Sequence, residues 1–224
     1  MKLATITIAY NPNIEELRQN IASYAGLSDV FILWDNSEKP LDLSNIKADF
    51  PHTIIHQDGI NHGLPHAYNW AIDYALEHNC THLMTMDQDS QFERFHEYYQ
   101  WVATKGHNGI SSCAINQTQP TQEECTLIND SAQSSSIFPL SMIKEIGPFR
   151  EDLFISMVDA EMCLRAQEHN YRTLQYNKSN LIHHIGGERS VCFMGHHTYV
   201  SDYNPLRHYY DSRNRILMWH EFPY

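Results

Sequence analysis

The stretch Thr81–Gln91 reads THLMTMDQDSQ, and its pattern indicates a buried strand that ends in acids. A short apolar run around Leu83 and Met86 ends abruptly in two acids, Asp87 and Asp89. Buried strands end in this way when they emerge at the carboxyl edge of a sheet and present carboxylates to a crevice. Two such carboxylates can share a divalent cation, and a bound Mg²⁺ or Mn²⁺ usually keeps substrate phosphates as further ligands. An isolated Asp-x-Asp is more often a loop cap or a pair of solvated acids, so a metal site needs support from the rest of the chain.

The chain before this stretch alternates strands with helices. Each strand ends in a polar corner, such as Asp35-Asn36-Ser37, and this order predicts a largely parallel, doubly wound α/β sheet with helices on both faces. A nucleotide crevice is expected where the carboxyl ends of the strands converge. The predicted strands are Leu3–Tyr10, Asp29–Trp34 and Thr53–His56, and the predicted helices are Ile14–Ala25 and Pro65–Glu77.

Two common nucleotide-binding motifs are absent from the sequence. There is no G-x-G-x-x-G after the first strand and no G-x-x-x-x-G-K-[ST] anywhere in the chain. The turn Tyr10-Asn11-Pro12 has no glycine that would let a pyrophosphate approach the backbone. A nicotinamide dehydrogenase and a P-loop kinase are therefore disfavoured, and a nucleotide whose phosphates are held by metal fits better.

Length and charge set the broad class. The 224 residues are enough for one α/β domain with a full core. The formal net charge is −12, with 15 Lys and Arg against 27 Asp and Glu. A non-specific nucleic-acid binder needs the opposite balance, so we predict no nucleic-acid partner. The acidity suits a site that is neutralised by a bound cation.

Cysteine usage and the amino terminus point to the cytoplasm. The five cysteines are scattered without a C-x-x-C pair, so neither a zinc ribbon nor a disulfide framework is indicated. The first residues lead directly into a strand, and their apolar run is too short for a signal peptide. No apolar stretch approaches about 18 residues, the length of a membrane span. We therefore expect a cytoplasmic protein that can attach peripherally to the inner face of the membrane.

The second half of the chain offers a second chemical centre. An aromatic-rich helix is predicted from Phe92 to Val102, and residues 116–130 are predicted to form a surface excursion or hairpin. A later helix, Val158–His169, begins with Asp159 and carries Glu161 and Arg165. Taken alone, Asp159 is equally explained as a helix cap. Glu161 and Arg165, four residues apart, can simply form a pair along the helix.

The motifs in their order along the chain resemble a family 2 glycosyltransferase of the GT-A fold, most closely its bacterial rhamnosyltransferase branch. Single motifs are weak, and their shared order over nearly the whole chain makes the resemblance specific. They are Tyr10-Asn11-Pro12, Asp35-Asn36-Ser37, Asn61-x-Gly63, Ala67-x-Asn69, Asp87-Gln88-Asp89-Ser90, Gly147-Pro148-Phe149, Asp159-x-Glu161 with Arg165, His183-x-Ile185-Gly186, and Leu206–Tyr210 with Arg213-Asn214.

The resemblance implies a single GT-A domain over residues 1–224, with a mostly parallel, Rossmann-like sheet and a smaller antiparallel region on the acceptor side. Residues 1–105 would bind the nucleotide sugar, 106–200 would form the acceptor and catalytic half, and 201–224 a carboxyl-terminal helix. The implied metal ligands for Mn²⁺ or Mg²⁺ are Asp87, Asp89 and His183, with His184 as an alternative to His183. The implied nucleotide-sugar-binding residues are Tyr10, Asn11, Asp35, Asn61, Gly63, Asn69, Asp87, Gln88, Arg207 and Arg213.

Several of these positions have a plainer explanation. Asp35 matches the family's acid near the donor base and ribose, and it also suits a turn-forming residue. Asn61, Gly63 and Asn69 match the segment that lines the nucleotide, and they equally suit turn chemistry with amide hydrogen bonds to the backbone. The helix Pro205–Trp219, which bears Arg207 and Arg213, would close over the donor phosphates or merely cover the sheet.

The implied catalytic residues are Asp159, Glu161 and Arg165. Asp159 matches the residue that deprotonates the acceptor hydroxyl, and the other two support its placement. The branch commonly carries an acid where this chain has Ser156, so the base is assigned to Asp159.

The implied activity is inverting, metal-dependent transfer of a sugar, with dTDP-L-rhamnose as the expected donor. The acceptor would be a hydroxyl of a bacterial cell-surface polysaccharide or glycolipid. UDP-hexoses and UDP-galactofuranose stay open as donors, and the sequence does not predict the oligomeric state. The alternatives are a sugar-phosphate nucleotidyltransferase, which usually has a basic glycine-rich first loop, and a non-catalytic glycan- or nucleotide-binding domain.

Overall fold

A computed structural model describes residues 1–105, 108–119, 121–183, 188–193, 195–201 and 203–222. Its helices are α1 (Ile14–Ala22), α2 (Ser44–Asp49), α3 (Leu64–Glu77), α4 (Phe95–Lys105), α5 (Leu140–Ile146), α6 (Val158–Glu168) and α7 (Pro205–Glu221). Its strands are β1 (Leu3–Ala9), β2 (Val30–Asp35), β3 (Ile54–Gln57), β4 (His82–Asp87), β5 (Ser90–Phe92), β6 (Ile110–Ile115), β7 (Cys125–Ile128), β8 (Ile137–Pro139), β9 (Thr173–His183), β10 (Glu188–Phe193) and β11 (His196–Ser201).

The main sheet has the strand order β3-β2-β1-β4-β8-β6-β9-β5, and β7 also pairs with β9. The first four strands of this order are parallel to one another. In the second half β8 runs antiparallel to β4 and β6, and β9 is antiparallel to β5 and β7. The predicted α/β class, with a parallel Rossmann-like half and an antiparallel region, is confirmed.

Alternating side chains of the buried strands divide the core between the two faces of the sheet. Leu83 packs into a cluster with residues of α3, α5 and α6, whereas Met84 and Met86 pack with residues of α1, α2 and α4. Burying one large aliphatic side chain contributes roughly 1.5–3 kcal/mol, so helices on both faces are needed to secure the strands between them. The sheet edge is thereby held rigidly where the acids emerge.

Two local expectations need correction. Phe92 belongs to β5 rather than to a helix, because Ser90–Phe92 pair with Leu181–His183, and α4 begins only at Phe95. The polar segment 116–130 contains β7, which joins the main sheet through β9 rather than forming a hairpin of its own. Both strands depend on pairing with β9, which lies about 50 to 90 residues further along the chain.

No helix among the described residues is both long and apolar enough to cross a membrane. The five cysteines are all unpaired, and Cys80, Cys113 and Cys163 are buried. The division of a single domain into a nucleotide-sugar-binding half (1–105), an acceptor and catalytic half (106–200) and a carboxyl-terminal helix (201–224) stays a prediction.

Candidate active site

The ends of β1 and β4 bring the first acids to the edge of a cavity. Ile8 in β1 is the register partner of Asp87 in β4, so the residues after both strands emerge side by side. Gln88 joins the two ends, since its Oε1 accepts from the Tyr10 amide at 2.7 Å and its Nε2 donates to the Tyr10 carbonyl at 3.3 Å. The adjoining cavity has a volume of about 470 Å³, and its walls include Tyr10, Asp87, Gln88 and Asp89.

Asp87, Asp89 and His183 form a cluster that could hold a metal ion. One ligand atom from each residue lies within 4.8 Å of the other two, and His183 Nδ1 is 3.5 Å from Asp89 Oδ1. The antiparallel pairing of Ser90 with His183 brings the imidazole to the acids. His184, Ile185 and Gly186 of the same motif lie outside the described residues.

The charge of this cluster fits a divalent cation. Burial and the neighbouring charges of Asp89 and Asp159 raise the pKa of Asp87 to about 7, and only Arg207 acts to lower it. Ionised carboxylates crowded in this way repel one another unless a cation lies between them. Two carboxylates and one imidazole are suitable ligands for Mn²⁺, and the two carboxylates also suit Mg²⁺.

Two serine hydroxyl groups form a hydrogen-bonded chain that ends at Nδ1 of the His183 imidazole. Ser90 Oγ lies 2.7 Å from His183 Nδ1, and Ser134 Oγ donates to Ser90 Oγ at 2.8 Å. Ser134 Oγ in turn accepts from the Asp87 amide at 3.2 Å. Outer hydrogen bonds of this kind fix the orientation and tautomer of a histidine ligand. Ser90 belongs to the motif Asp87-Gln88-Asp89-Ser90, whereas no motif in the sequence includes Ser134.

Asp159 reaches the same cavity from the other side, at the start of α6. Its Oδ1 accepts from the backbone amide of Ala160 at 2.9 Å, and a hydrogen bond from the Gln133 backbone also stabilises the carboxylate. Burial raises the pKa of Asp159 in spite of these hydrogen bonds. A carboxylate with a raised pKa is a better proton acceptor than an ordinary aspartate.

Asn61, Gly63 and Arg207 also lie on the cavity wall, and their contact with a nucleotide sugar stays a prediction. Asn61 Oδ1 accepts from the Gly63 amide at 3.0 Å, which shapes the turn before α3. The Arg207 guanidinium lies 3.8 Å from the centre of the Tyr203 ring. Arg207 therefore brings a cation to the cavity that contains Asp87 and Asp159.

Four predicted nucleotide-binding residues lie off the cavity wall, namely Asn11, Asp35, Asn69 and Arg213 of α7. Asp35 is fully buried and accepts from Ser37 N, Leu41 N and Gln57 Nε2 at 2.8 to 3.0 Å. Asn69 joins α3 to the backbone of Phe149, donating to its carbonyl and accepting from its amide. Asn11 holds the adjoining corner through its amide, which donates to Ser37 Oγ. These contacts agree with the turn-forming alternative, and a role in donor binding stays a prediction.

Two of the remaining predicted residues, Arg165 and Arg213, form hydrogen bonds with backbone carbonyls outside the cavity wall. Arg165, which is partly exposed, donates two hydrogen bonds to the buried Glu161 carboxylate and also donates to the carbonyls of Ile146, Gly147 and Pro148. Arg213 donates to the carbonyl of Asp152 rather than lining the cavity. Glu161 and Arg165 thus form the pair along α6 that the sequence allowed, and neither lines the cavity. Their role in placing Asp159 stays a prediction.

Several residues of the cavity wall were not anticipated. Gln133, Phe154 and Tyr203 come from irregular segments before β8, α6 and α7. The buried Gln133 donates from Nε2 to Thr85 Oγ1, and its Oε1 has no partner among the described residues. No periodic pattern or motif marks these positions, because their side chains are placed by tertiary contacts.

No family model matches the sequence. A curated relative, the dTDP-rhamnosyl transferase RfbF of Shigella flexneri, is 24% identical over 241 residues, covering 95% of this chain and 78% of that protein. The resemblance to the rhamnosyltransferase branch is thereby confirmed.

Solved structures share the fold at low sequence identity. GalNAc-T7 with UDP, GalNAc and Mn²⁺ aligns with a TM-score of 0.67 and 11% identity, over 81% of this chain and 43% of that one. TarS 1-349 of S. aureus in complex with UDP aligns with a TM-score of 0.61 and 16% identity, over 83% of this chain and 61% of that one. The protein thus has the GT-A glycosyltransferase fold and spans less than two thirds of either of these neighbours.

Proposed function

We propose that this protein is an inverting, metal-dependent glycosyltransferase that moves L-rhamnose from dTDP-rhamnose to a hydroxyl of a cell-surface polysaccharide or glycolipid. The observation that carries the proposal is one cavity walled by Asp87, Asp89, His183 and Asp159. The name of the Shigella flexneri relative supports the donor, and the UDP and Mn²⁺ bound to GalNAc-T7 support a nucleotide sugar with a metal.

Each side of the cavity has a separate task in this proposal. Asp87, Asp89 and His183 would hold a divalent cation, Mn²⁺ or Mg²⁺, which neutralises charge on a departing nucleotide diphosphate when it is bound. Arg207 would donate hydrogen bonds to the phosphate oxygens, a pairing for which guanidinium groups are well suited. Tyr10, Asn61 and Gly63 would contact the nucleotide sugar along the same wall.

The transfer itself is a single displacement. Asp159 takes the proton of the acceptor hydroxyl while the hydroxyl oxygen forms a bond to carbon one of the sugar. The bond from carbon one to the phosphate oxygen breaks, and its electron pair leaves with the nucleotide diphosphate. The configuration at carbon one inverts, because the acceptor attacks the face opposite the leaving group. The raised pKa of Asp159 favours this proton transfer.

The test is release of dTDP from dTDP-rhamnose in Mn²⁺, measured by chromatography with and without glycan acceptors. We expect turnover by the wild-type protein and a loss of about 10²-fold or more in Asp159→Asn, which keeps the shape of the side chain and cannot accept the proton. UDP-glucose, UDP-galactose and UDP-galactofuranose serve as competing donors. Nucleotide binding without turnover of any donor would instead support a non-catalytic binding domain.

A further inference from the structure

The segment Leu153–Met157 connects a short 3₁₀ turn, Glu151–Leu153, to α6. Its residues Phe154, Ile155 and Ser156 line the cavity, and Asp159 follows at the start of the helix. The conformation of this segment therefore determines where the Asp159 carboxylate lies relative to the rest of the cavity.

The backbone of this segment is unfavourable by itself. Phe154, Ser156 and Met157 have positive φ angles of 62°, 65° and 62°. Non-glycine residues rarely adopt such angles, because Cβ comes too close to the backbone. Three of them within four residues persist only when the surrounding structure holds them in place.

Asn214 of α7 supplies that restraint. Its side chain is fully buried, and Nδ2 lies 2.9 Å from each of three carbonyl oxygens, those of Leu153, Ile155 and Ser156. Its Oδ1 accepts from Arg213 Nε at 2.9 Å and from Arg213 Nη2 at 2.7 Å. A guanidinium group only donates, so this contact fixes the amide with Nδ2 facing the segment.

Further contacts hold the same segment from α7 and from α3. The Phe154 ring stacks on Tyr210 with 4.8 Å between centroids. The Phe154 carbonyl accepts from the Leu64 amide at 2.8 Å. Gly63 packs so closely that a Cβ atom there would lie 2.6 Å from the Phe154 carbonyl oxygen. The segment is thus clamped between two helices, with Asn214 as the centre of the hydrogen bonding.

We propose that Asn214, oriented by Arg213, is a positioning residue that holds Leu153–Met157 in its strained conformation and so places Asp159 for proton transfer. The consequence for catalysis rests on the proposed function, in which Asp159 is the base. Helix α7 then helps to position the catalytic base, in addition to covering the sheet.

The decisive variant is Asn214→Asp, which keeps the size of the side chain and its contact with Arg213 while removing the donor to the three carbonyls. Its control is Leu17→Ala, which opens the core on the opposite face of the sheet and does not touch this segment. At a temperature where both variants are folded, we expect kcat for dTDP-rhamnose to fall at least 30-fold in Asn214→Asp. The donor KM should change less than threefold, and Leu17→Ala should keep kcat within twofold.

A second variant separates positioning from general stability. Met157→Gly allows the positive φ angle at no steric cost, so in the Asn214→Asp background it should restore kcat at least threefold. If kcat instead follows the melting temperature through all four proteins, Asn214 has only a structural role and the proposal is overturned.

Limited proteolysis tests the clamp without any reference to turnover. Chymotryptic cleavage after Phe154, followed by mass spectrometry, should be at least tenfold faster in Asn214→Asp than in the wild type or Leu17→Ala. Unchanged cleavage would refute the clamp. A wild-type protein that turns over no donor would refute the proposed function, and the cleavage rates would still decide whether Asn214 holds the segment.

Discussion

Strands β2 and β4 flank β1 in the parallel half of the sheet, and each ends in an aspartate at the same edge. Asp35, at the end of β2, is fully buried and accepts hydrogen bonds from Ser37, Leu41 and Gln57. Asp87, at the end of β4, receives no hydrogen bond to its carboxylate from the described residues, and acids surround it. The first carboxylate is therefore satisfied within the fold, whereas the second is open to the metal ion that we propose.

This difference shows what an aspartate at a strand end can and cannot indicate. A buried carboxylate with several donors stabilises the loops that provide those donors. A buried carboxylate next to other acids destabilises the folded chain until a cation or a proton reaches it. Substitutions at the two strand ends should therefore have opposite consequences.

The largest expected effect is on turnover at the β4 end. Asp89→Ala removes one of the acids of the cluster, and we expect Mn²⁺-dependent release of dTDP to fall by about 10³-fold. The melting temperature should change little, because Asp89 is partly exposed. A variant with more than a tenth of wild-type turnover would contradict the assignment.

The β2 end should respond in the opposite way. Asp35→Ala leaves the backbone amides of Ser37 and Leu41 without their acceptor, while Gln57 Nε2 keeps its bond to the Leu41 carbonyl. We expect the loss to cost about 2–4 kcal/mol of unfolding free energy. Urea denaturation measures this loss. In the folded variant kcat should stay within about threefold of the wild type, and a selective rise in donor KM would show instead that Asp35 contacts the nucleotide.

Replacing Asp87 should stabilise the metal-free protein. Because the folded pKa is raised to about 7, the folded state holds a proton that the unfolded state releases at about pH 4. The stability of the wild type therefore falls as pH rises from 4 through 7, and Asp87→Asn should not show this contribution. We expect the variant in EDTA to gain about 2 kcal/mol at pH 8, or roughly 4–8 °C in melting temperature, and much less at pH 4.

The gain of Asp87→Asn should disappear when Mn²⁺ is added, since only the wild type binds it. An equal gain in melting temperature at pH 4 and pH 8 would mean that the Asp87 carboxylate is not the cause.

The smallest expected effect concerns the hydroxyl support of His183. Ser90→Ala removes the 2.7 Å contact to Nδ1, and loss of such outer contacts typically weakens metal binding by about tenfold. Calorimetric titration with Mn²⁺ measures this change. Unaltered affinity would indicate that His183 is oriented by other contacts or does not bind the metal.

The sequence predicted that Asp87 and Asp89 lie at the carboxyl edge of the sheet. It did so because their apolar strand follows several strand–helix units, whose strands end at the same edge of a parallel sheet. It could not separate Asp35 from Asp87, because the partners of Asp35 come from Leu41 and Gln57, on the loop after β2 and at the end of β3. The same limit applies to Asn69, whose amide joins α3 to Phe149, 80 residues away.

The sequence could not predict the irregular segments of the cavity wall, for a different reason. Phe154 and Ser156 have positive φ angles that their residue types do not favour, so no local propensity predicts the loop they form. The loop is held by Asn214, for which the motif that contains it predicted no particular role. Tertiary contacts override local preference there, as is common at functional sites.

The most direct test of the account is calorimetric binding of dTDP, UDP and GDP, each with Mn²⁺ or EDTA, to the wild type, Asp89→Ala and Asp73→Ala. Asp73 is an exposed acid on α3 and serves as the control. We predict that one nucleotide, dTDP, binds the wild type and Asp73→Ala at least tenfold more tightly with Mn²⁺, and that Asp89→Ala loses this dependence. If no nucleotide binds the wild type in either condition, or if Asp89→Ala keeps the full Mn²⁺ dependence, the β4 edge is not a metal and diphosphate site.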